Sequence, residues 1–287
     1  EINAAYERSR QAWEAQDPLS LLDLPPMEDP KLLAAMQILT NLSHSACMAA
    51  PALLPLLIFK QISLSIHHGN CAVSVVSYAD YGMVLCGIMN DIPAGYQFAQ
   101  LSLALLEKLQ ANAFKSRVYL VVNTFARHWW EPLQEVTPAL LEGCRSGLES
   151  GDWECVALNL FTYSNHQYWS GRELLGLAEE LLSHEVVIEQ VKQQAALRAH
   201  QSYLQAALNL LGRSTVPYRL QGDVFDLEQL VPSLKVGNDR ASLFSGYLHQ
   251  IFLYYLFEEH EAAIALIPRV QEYQDAGIGF FLMSTWV

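Results

Sequence analysis

The stretch that most constrains the fold is YADYGMVLCGIMNDIPAGYQFAQLSLALLEKL, from Tyr78 to Leu109. It reads as two amphipathic helices joined by one tight turn. Asp91 is a natural N-cap, because its carboxylate can accept from the free N–H groups of the next turn. Pro93 stands in the first turn, where no donor is missed. On the second helix Phe98, Leu101, Leu105 and Leu109 keep the three-and-four spacing of one buried face. On the first, Ala79, Gly82, Met83, Cys86, Gly87 and Ile88 mix small and large residues, as closely approaching helices require. A lone hairpin of this build cannot bury its apolar faces, so it needs neighbours of the same kind.

The rest of the chain supplies them. Residues 1–17 read as a polar helix broken at Asp17-Pro18. Leu19–Pro30 carries Pro25, Pro26 and Pro30 and reads as a linker. The expected division is therefore a helical lead-in with a Pro-rich linker over 1–30, followed by a helical-repeat domain over 31–287. Asp29 caps a helix with Pro30 at its first position, running to about Met48. Pro51 opens the next, which ends at His67-His68 with Gly69 as its C′ residue. Further helices are expected over Lys115–Trp130, from Thr137-Pro138, over Trp153–Trp169, from Arg172, and over Gln194–Leu211. A looser region, Gly212–Gly237, precedes helices over Arg240–Phe257 and Glu259–Gln274. The β-rich runs Val73–Val76 and Val118–Val122 sit inside helical periodicity. The fold expected is all-α: a TPR-like α-solenoid of antiparallel helical hairpins, with an irregular helical bundle as the alternative. Asp91, Asp152 and Asp239 each follow a Gly or Asn in a short turn. The repeat length is about 40 residues, longer than the roughly 34 of tetratricopeptide units. GLESGDWECVALNLF and LFEEHEAAIALIPRVQEY are the most TPR-like pieces.

Composition narrows the partners. Of 287 residues 52% are hydrophobic and 16% charged, which leaves ample material for a core. Lys and Arg number 17 against 30 Asp and Glu, a net charge of −13, and no basic cluster relieves it. Nucleic-acid affinity rests on cations, so a nucleic-acid partner is disfavoured. Cys47, Cys71, Cys86, Cys144 and Cys155 are dispersed among apolar residues without a C-x-x-C pair, which suits buried thiols in a reducing cytosol. Cys47–Phe59 is uncharged, but Pro51, Pro55 and Lys60 cut it short of the roughly 20 residues that span a bilayer. Cys71–Asn90 carries Asp80. No membrane insertion is expected, and the expected location is cytoplasmic. With no initiator Met, a polar opening and an apolar close (GIGFFLMSTWV), both ends look cut from a longer polypeptide.

The run YGMVLCGIMNDIPAGYQFAQLSLALLEKL, with RHWWEPL (Arg127–Leu133), LLEGCRSGLESGDWECVA (Leu140–Ala157) and LNLLG (Leu208–Gly212), resembles one region of very large bacterial signalling proteins. Those proteins join a serine/threonine kinase, a predicted AAA-type ATPase, a GAF domain and a sensor histidine kinase. The similar region is the helical one between the ATPase and the GAF domain, and Tyr81 to Asp152 carries the likeness most specifically. The chain itself holds no G-x-x-x-x-G-K-[ST] loop, no H-R-D-x-x-x-x-N and no D-F-G, so no catalytic residue is carried over. The resemblance implies a non-catalytic sensor or relay module. Its partners would be the neighbouring ATPase, GAF and kinase domains or a partner protein, and a small-molecule inducer is the alternative.

Two clusters combine aromatic faces with polar tips: Arg127-His128-Trp129-Trp130-Glu131 and Tyr163-Ser164-Asn165-His166-Gln167-Tyr168-Trp169. Each is expected to close the first helix of its hairpin, and in a solenoid such helices line the concave face. Tyr78 and Tyr81 take a comparable place one hairpin earlier, and His200 and Tyr203 extend the stripe. The candidate groove is thus Tyr78, Tyr81, Arg127, His128, Trp130, Tyr163, His166, Trp169, His200 and Tyr203, suited to a sugar, nucleobase or peptide. The competing reading makes these aromatics core packing and their tips helix caps. No cofactor is expected. His67-His68 project to different sides of a helix and no H-E-x-x-H spacing exists, so no metal site is expected. For Cys86 and His128, a buried thiol is preferred over a nucleophile pair.

Overall fold

The computed structural model describes residues 2–15 and 17–281, with all their side chains except those of residues 44 and 47–49. The apolar close of the chain from residue 282 onward and the Cys47 thiol, both read above, lie outside what is described. The elements formed by the described residues are all helices, with two isolated β-bridges and no strand. They form two compact units, Glu1–Glu131 and Pro132–Val287. Among the described residues no helix is long and apolar enough to cross a membrane.

In the first unit α1 (Ile2–Gln11) and a 3-10 turn (Pro18–Asp23) precede α2 (Pro30–Ala49), α3 (Leu54–His68), α4 (Ser74–Gly87), α5 (Ile92–Lys108) and α6 (Lys115–Phe125). Helix α4 is the axis. It is apolar nearly all round, as a helix enclosed by others must be, and it packs on α3, α5 and α6. Asp91 caps α5 as its position requires, accepting from the Ala94 N–H at 3.3 Å. The α4 and α5 backbones touch. A Cβ on Gly82 would stand 2.8 Å from the Gly95 carbonyl oxygen, and one on Gly95 would stand 2.8 Å from the Gly82 oxygen. Asp80, buried inside this bundle, pairs with Arg117 of α6 at 3.2 Å.

The segment read as a linker is instead built into this core. Tyr6, Trp13, Leu21 and Met27 are all buried. Prolines remove donors here, so the segment offers its carbonyls to the α3–α4 connection. Asn70 N–H donates to the Pro25 oxygen and its side-chain amide to the Leu21 oxygen, both at 2.8 Å, while Met27 N–H donates to the Asn70 oxygen at 2.8 Å. Gly69, left-handed at φ 97°, lets this happen: a Cβ there would lie 2.1 Å from the Pro25 oxygen.

The second unit contains α7 (Leu133–Ser150), α8 (Trp153–Trp169), α9 (Leu174–Gln190), α10 (Gln194–Leu210), α11 (Leu227–Val236), α12 (Arg240–Leu256) and α13 (His260–Tyr273). Helix α7 begins before Thr137-Pro138, with Pro138 in its interior. The earlier start buries Leu133 and Val136 on the same face as Leu140. The carbonyl that Pro138 cannot serve, on Gln134, receives the Thr137 hydroxyl at 3.4 Å instead. Gly143 of α7 makes room for the buried Asn159 of α8; a Cβ would meet its Oδ1 at 2.6 Å. The looser region contains α11, and buried amides tie down its loop. Asn209 Nδ2 donates to the Pro217 oxygen at 3.0 Å, and Gln250 Oε1 accepts from Leu220 N–H at 2.8 Å.

One connector recurs. Gln110, Gly151, Gly212, Asn238 and Glu258 all take left-handed backbone. After each, the next N–H donates back five residues, as from Asp152 to Gly147 and from Asp239 to Leu234, both at 2.9 Å. This is the Schellman closure of a helix C-terminus. Asp152 and Asp239 then cap the following helix. The Asp-capped turns are unevenly spaced along the chain, so the likeness among hairpins lies in the connector more than in the repeat length.

Candidate functional site

The proposed stripe divides between the two units. Cluster Arg127–Trp129 is a 3-10 turn after α6, so it does not close a helix as expected. Arg127 donates from Nε to Glu131 Oε1 at 2.8 Å, from a terminal nitrogen to Oε2, and from the other to Asn123 Oδ1 at 2.8 Å. Tyr96 donates to the same Glu131 at 2.9 Å. The Arg127 guanidinium holds the Glu131 carboxyl below its ordinary range. Trp130 stacks on the Tyr96 ring with centroids 5.6 Å apart and is 59% exposed. His128 is buried against Trp129, and burial lowers its pKa to about 4.

Tyr78 and Tyr81 lie in the core of the first unit with no exposed surface. Tyr78 donates to Asn70 Oδ1 at 2.9 Å, and the Tyr81 oxygen accepts from Trp13 Nε1 at 2.9 Å. Burial pushes the Tyr81 phenol up to about 12. These two rings hold the lead-in segment and the α3–α4 connection in place.

In the second unit the aromatic run belongs to α8, which is the second helix of the α7/α8 pair and not a first one. Tyr163 donates to Glu180 of α9 at 2.7 Å, with Arg172 bridging both. His166 is buried against Phe281. His200 is buried, with Nε2 at 2.9 Å from the Leu181 carbonyl and Nδ1 at 2.8 Å from the Ser164 hydroxyl. A carbonyl only accepts, so Nε2 carries the proton. Burial drops this imidazole to about 4, and the neutral ring leaves Nδ1 to accept from Ser164. Tyr203 is fully buried.

Trp169 is the exception. It ends α8 with one face against His249 (centroids 6.2 Å, planes 8° apart) and its edge on Phe252 at 5.1 Å. It also forms the floor of a groove of about 550 Å³ between α12 and α13. Leu248, Phe252 and Tyr255 line one wall and His260, Ile264 and Ile267 the other. Each wall keeps the four-and-seven spacing of a helix face. Tyr255 is 63% exposed and Ile264 66%. Neither residue belongs to the stripe read from sequence. The signal that could have found them is the stretch from Arg240 to Arg269, which has no Lys or Arg between its ends although both helices carry more apolar residues than one core face needs. Among the described residues no group of His, Cys, Asp and Glu could hold a metal ion. Burial and the Asp91 charge raise the Cys86 thiol to about 12, away from nucleophilic use.

The described residues form paired helices with an open apolar groove between α12 and α13. No family model matches the sequence. Over 126 residues, 43% of the chain, it is 29% identical to hybrid signal transduction histidine kinase G of Dictyostelium discoideum. The match spans 4% of that protein's length. The chain is thus distantly similar, over part of its length, to a signalling protein.

Proposed function

We propose that this chain is a non-catalytic interaction module of a larger signalling protein, passing a conformational signal between neighbouring domains through helix contacts. The observation that carries the reading is the α12/α13 groove. A folded chain of this size ordinarily buries such an apolar patch or uses it for binding. Partial similarity to a signalling histidine kinase supports the context, and the recurring Schellman connectors support a TPR-like hairpin organisation. The partners on this reading are ATPase, GAF or kinase domains of the same polypeptide, or a separate protein.

A photo-crosslinking amino acid placed at Ile264 tests it. The expected outcome is adducts with a signalling-protein segment in cells, identified by mass spectrometry. Absence of any adduct, with the chain folded and expressed, overturns the reading. A small-molecule sensor is the second reading, favoured by a groove volume in the range of ligand sites. Thermal-shift screening against sugars, nucleotides and amino acids separates the two. A ligand at a hundred times its dissociation constant adds about 2.7 kcal/mol of stability, which is read directly as a higher Tm.

A further inference from the structure

We infer that the α12/α13 groove takes an amphipathic helix with basic flanks. This inference rests on the interaction reading above and names the chemistry of the partner. Three observations carry it. First, the groove's shape suits a helix. The walls Leu248/Phe252/Tyr255 and His260/Ile264/Ile267 each run two turns, about 11 Å, and Trp169 closes the floor. A partner helix with apolar residues at i, i+3, i+4 and i+7 lays one face over that length.

Second, the lip is acidic. Glu258, Glu259 and Glu261 sit exposed at the α12–α13 turn beside His260. The nearest cations in sequence are already engaged, Arg240 with Asp275 and Arg269 with Glu272. An apolar floor beside glutamates that make no ion pair among the described residues recruits a partner whose apolar stripe is flanked by Lys or Arg, since complementary rim charge steers encounter and sets register. Third, the same charge argues against the other occupants. A second copy brings a net charge of −13 and an identical acidic lip, and an anionic membrane surface repels the same three carboxylates.

The test uses the 287-residue chain and three synthetic peptides of about five helical turns. One carries a Leu stripe with Lys flanks, one has the Lys replaced by Glu, and one is a scramble of the first. Binding is read by fluorescence anisotropy at low and high salt. The expected result is saturable binding of the Lys peptide alone. Ile264→Glu should weaken it about tenfold. Replacing Glu258, Glu259 and Glu261 together by Gln should weaken it about threefold and flatten its salt dependence. Ile264 and the three glutamates are exposed, so the variants should fold, and circular dichroism checks this. Equal binding of the Glu peptide or the scramble overturns the inference, as does sedimentation showing a dimer that Ile264→Glu dissociates. If crosslinking at Ile264 succeeds while the Lys peptide shows no preference, this inference fails and the interaction reading stands. If crosslinking fails as well, both fall.

Discussion

Gly82 and Gly95 face one another across α4 and α5 at backbone contact, each leaving 2.8 Å between where its Cβ would be and the other's carbonyl oxygen. The obstruction on each side is main chain, which cannot swing aside as a side chain can. In an open helix Gly→Ala gains about 1 kcal/mol. Here overpacking costs about 1–3 kcal/mol and outweighs it. Gly95→Ala is the more severe of the two, because its Cβ also meets the Cys86 sulfur at 2.3 Å. Both variants should lower the urea midpoint of the first unit. Gly237→Ala, whose φ is −78° and whose nearest neighbour is at 3.4 Å, should leave stability unchanged or slightly raised.

A fragment beginning at residue 31 should not behave as a folded domain. Removing Tyr6, Trp13 and Leu21 uncovers Phe59, Tyr81 and Phe98 and strands the Asn70 amide. Each large apolar side chain taken from the core costs about 1.5–3 kcal/mol. The expected result is strong binding of an apolar dye and a lost cooperative transition for the first unit. A native-like melt of that fragment would restore the linker reading of Leu19–Pro30.

Arg117→Met removes the guanidinium that pairs with the buried Asp80 carboxylate at 3.2 Å. Breaking a fully buried pair costs about 3–5 kcal/mol. Arg117 keeps 25% of its side chain exposed, so a loss of about 2 kcal/mol is expected. Adding Asp80→Asn should recover part of it, and a double-mutant cycle by urea denaturation measures how much.

Acid should weaken the second unit before its carboxylates titrate. His200 is lowered to about 4 and His249 to about 3, both chiefly by burial. The unfolded chain protonates these histidines near pH 6.5 while the folded one does not, so unfolding takes up protons and stability falls as pH drops. It is fully present above about pH 6.5 and erodes down toward the folded values. Urea titrations between pH 7.5 and 5 should show this slope. His249→Phe should flatten it by about one proton and cost little at neutral pH, since neither ring nitrogen of His249 has a hydrogen-bond partner.

The caps were open to reading from sequence because capping is local chemistry. Asp29, Asp91, Asp152 and Asp239 all accept from the helices they precede. Proline content misleads over Leu19–Pro30 because it speaks only of missing donors. It says nothing of whether Leu21 and Met27 find a core, which depends on residues as distant as Asn70. The aromatic clusters were ambiguous for a related reason. A Tyr or His with a polar tip suits a wet groove and a buried hydrogen bond equally well, and only the partner decides. Asn70, Trp13, Glu180 and Leu181 decide it for Tyr78, Tyr81, Tyr163 and His200, and none is a sequence neighbour of the residue it holds. Trp169 could be picked out as an aromatic. Its role as a floor depends on α12 and α13, far along the chain.

The left-handed connectors carry a cost that the chain has left in place. Asn90, Gln110, Lys192, Asn238 and Glu258 adopt positive φ without being glycine. An L side chain there costs about 1 kcal/mol, partly returned by the freer unfolded backbone a glycine would bring. These turns are therefore reserves for engineering. Glycine at Gln110 or Lys192 should firm the protein by a few tenths of a kcal/mol to about 1 while leaving every groove and core contact as it is. A sturdier version of this chain is to be sought in its corners, where helices stop.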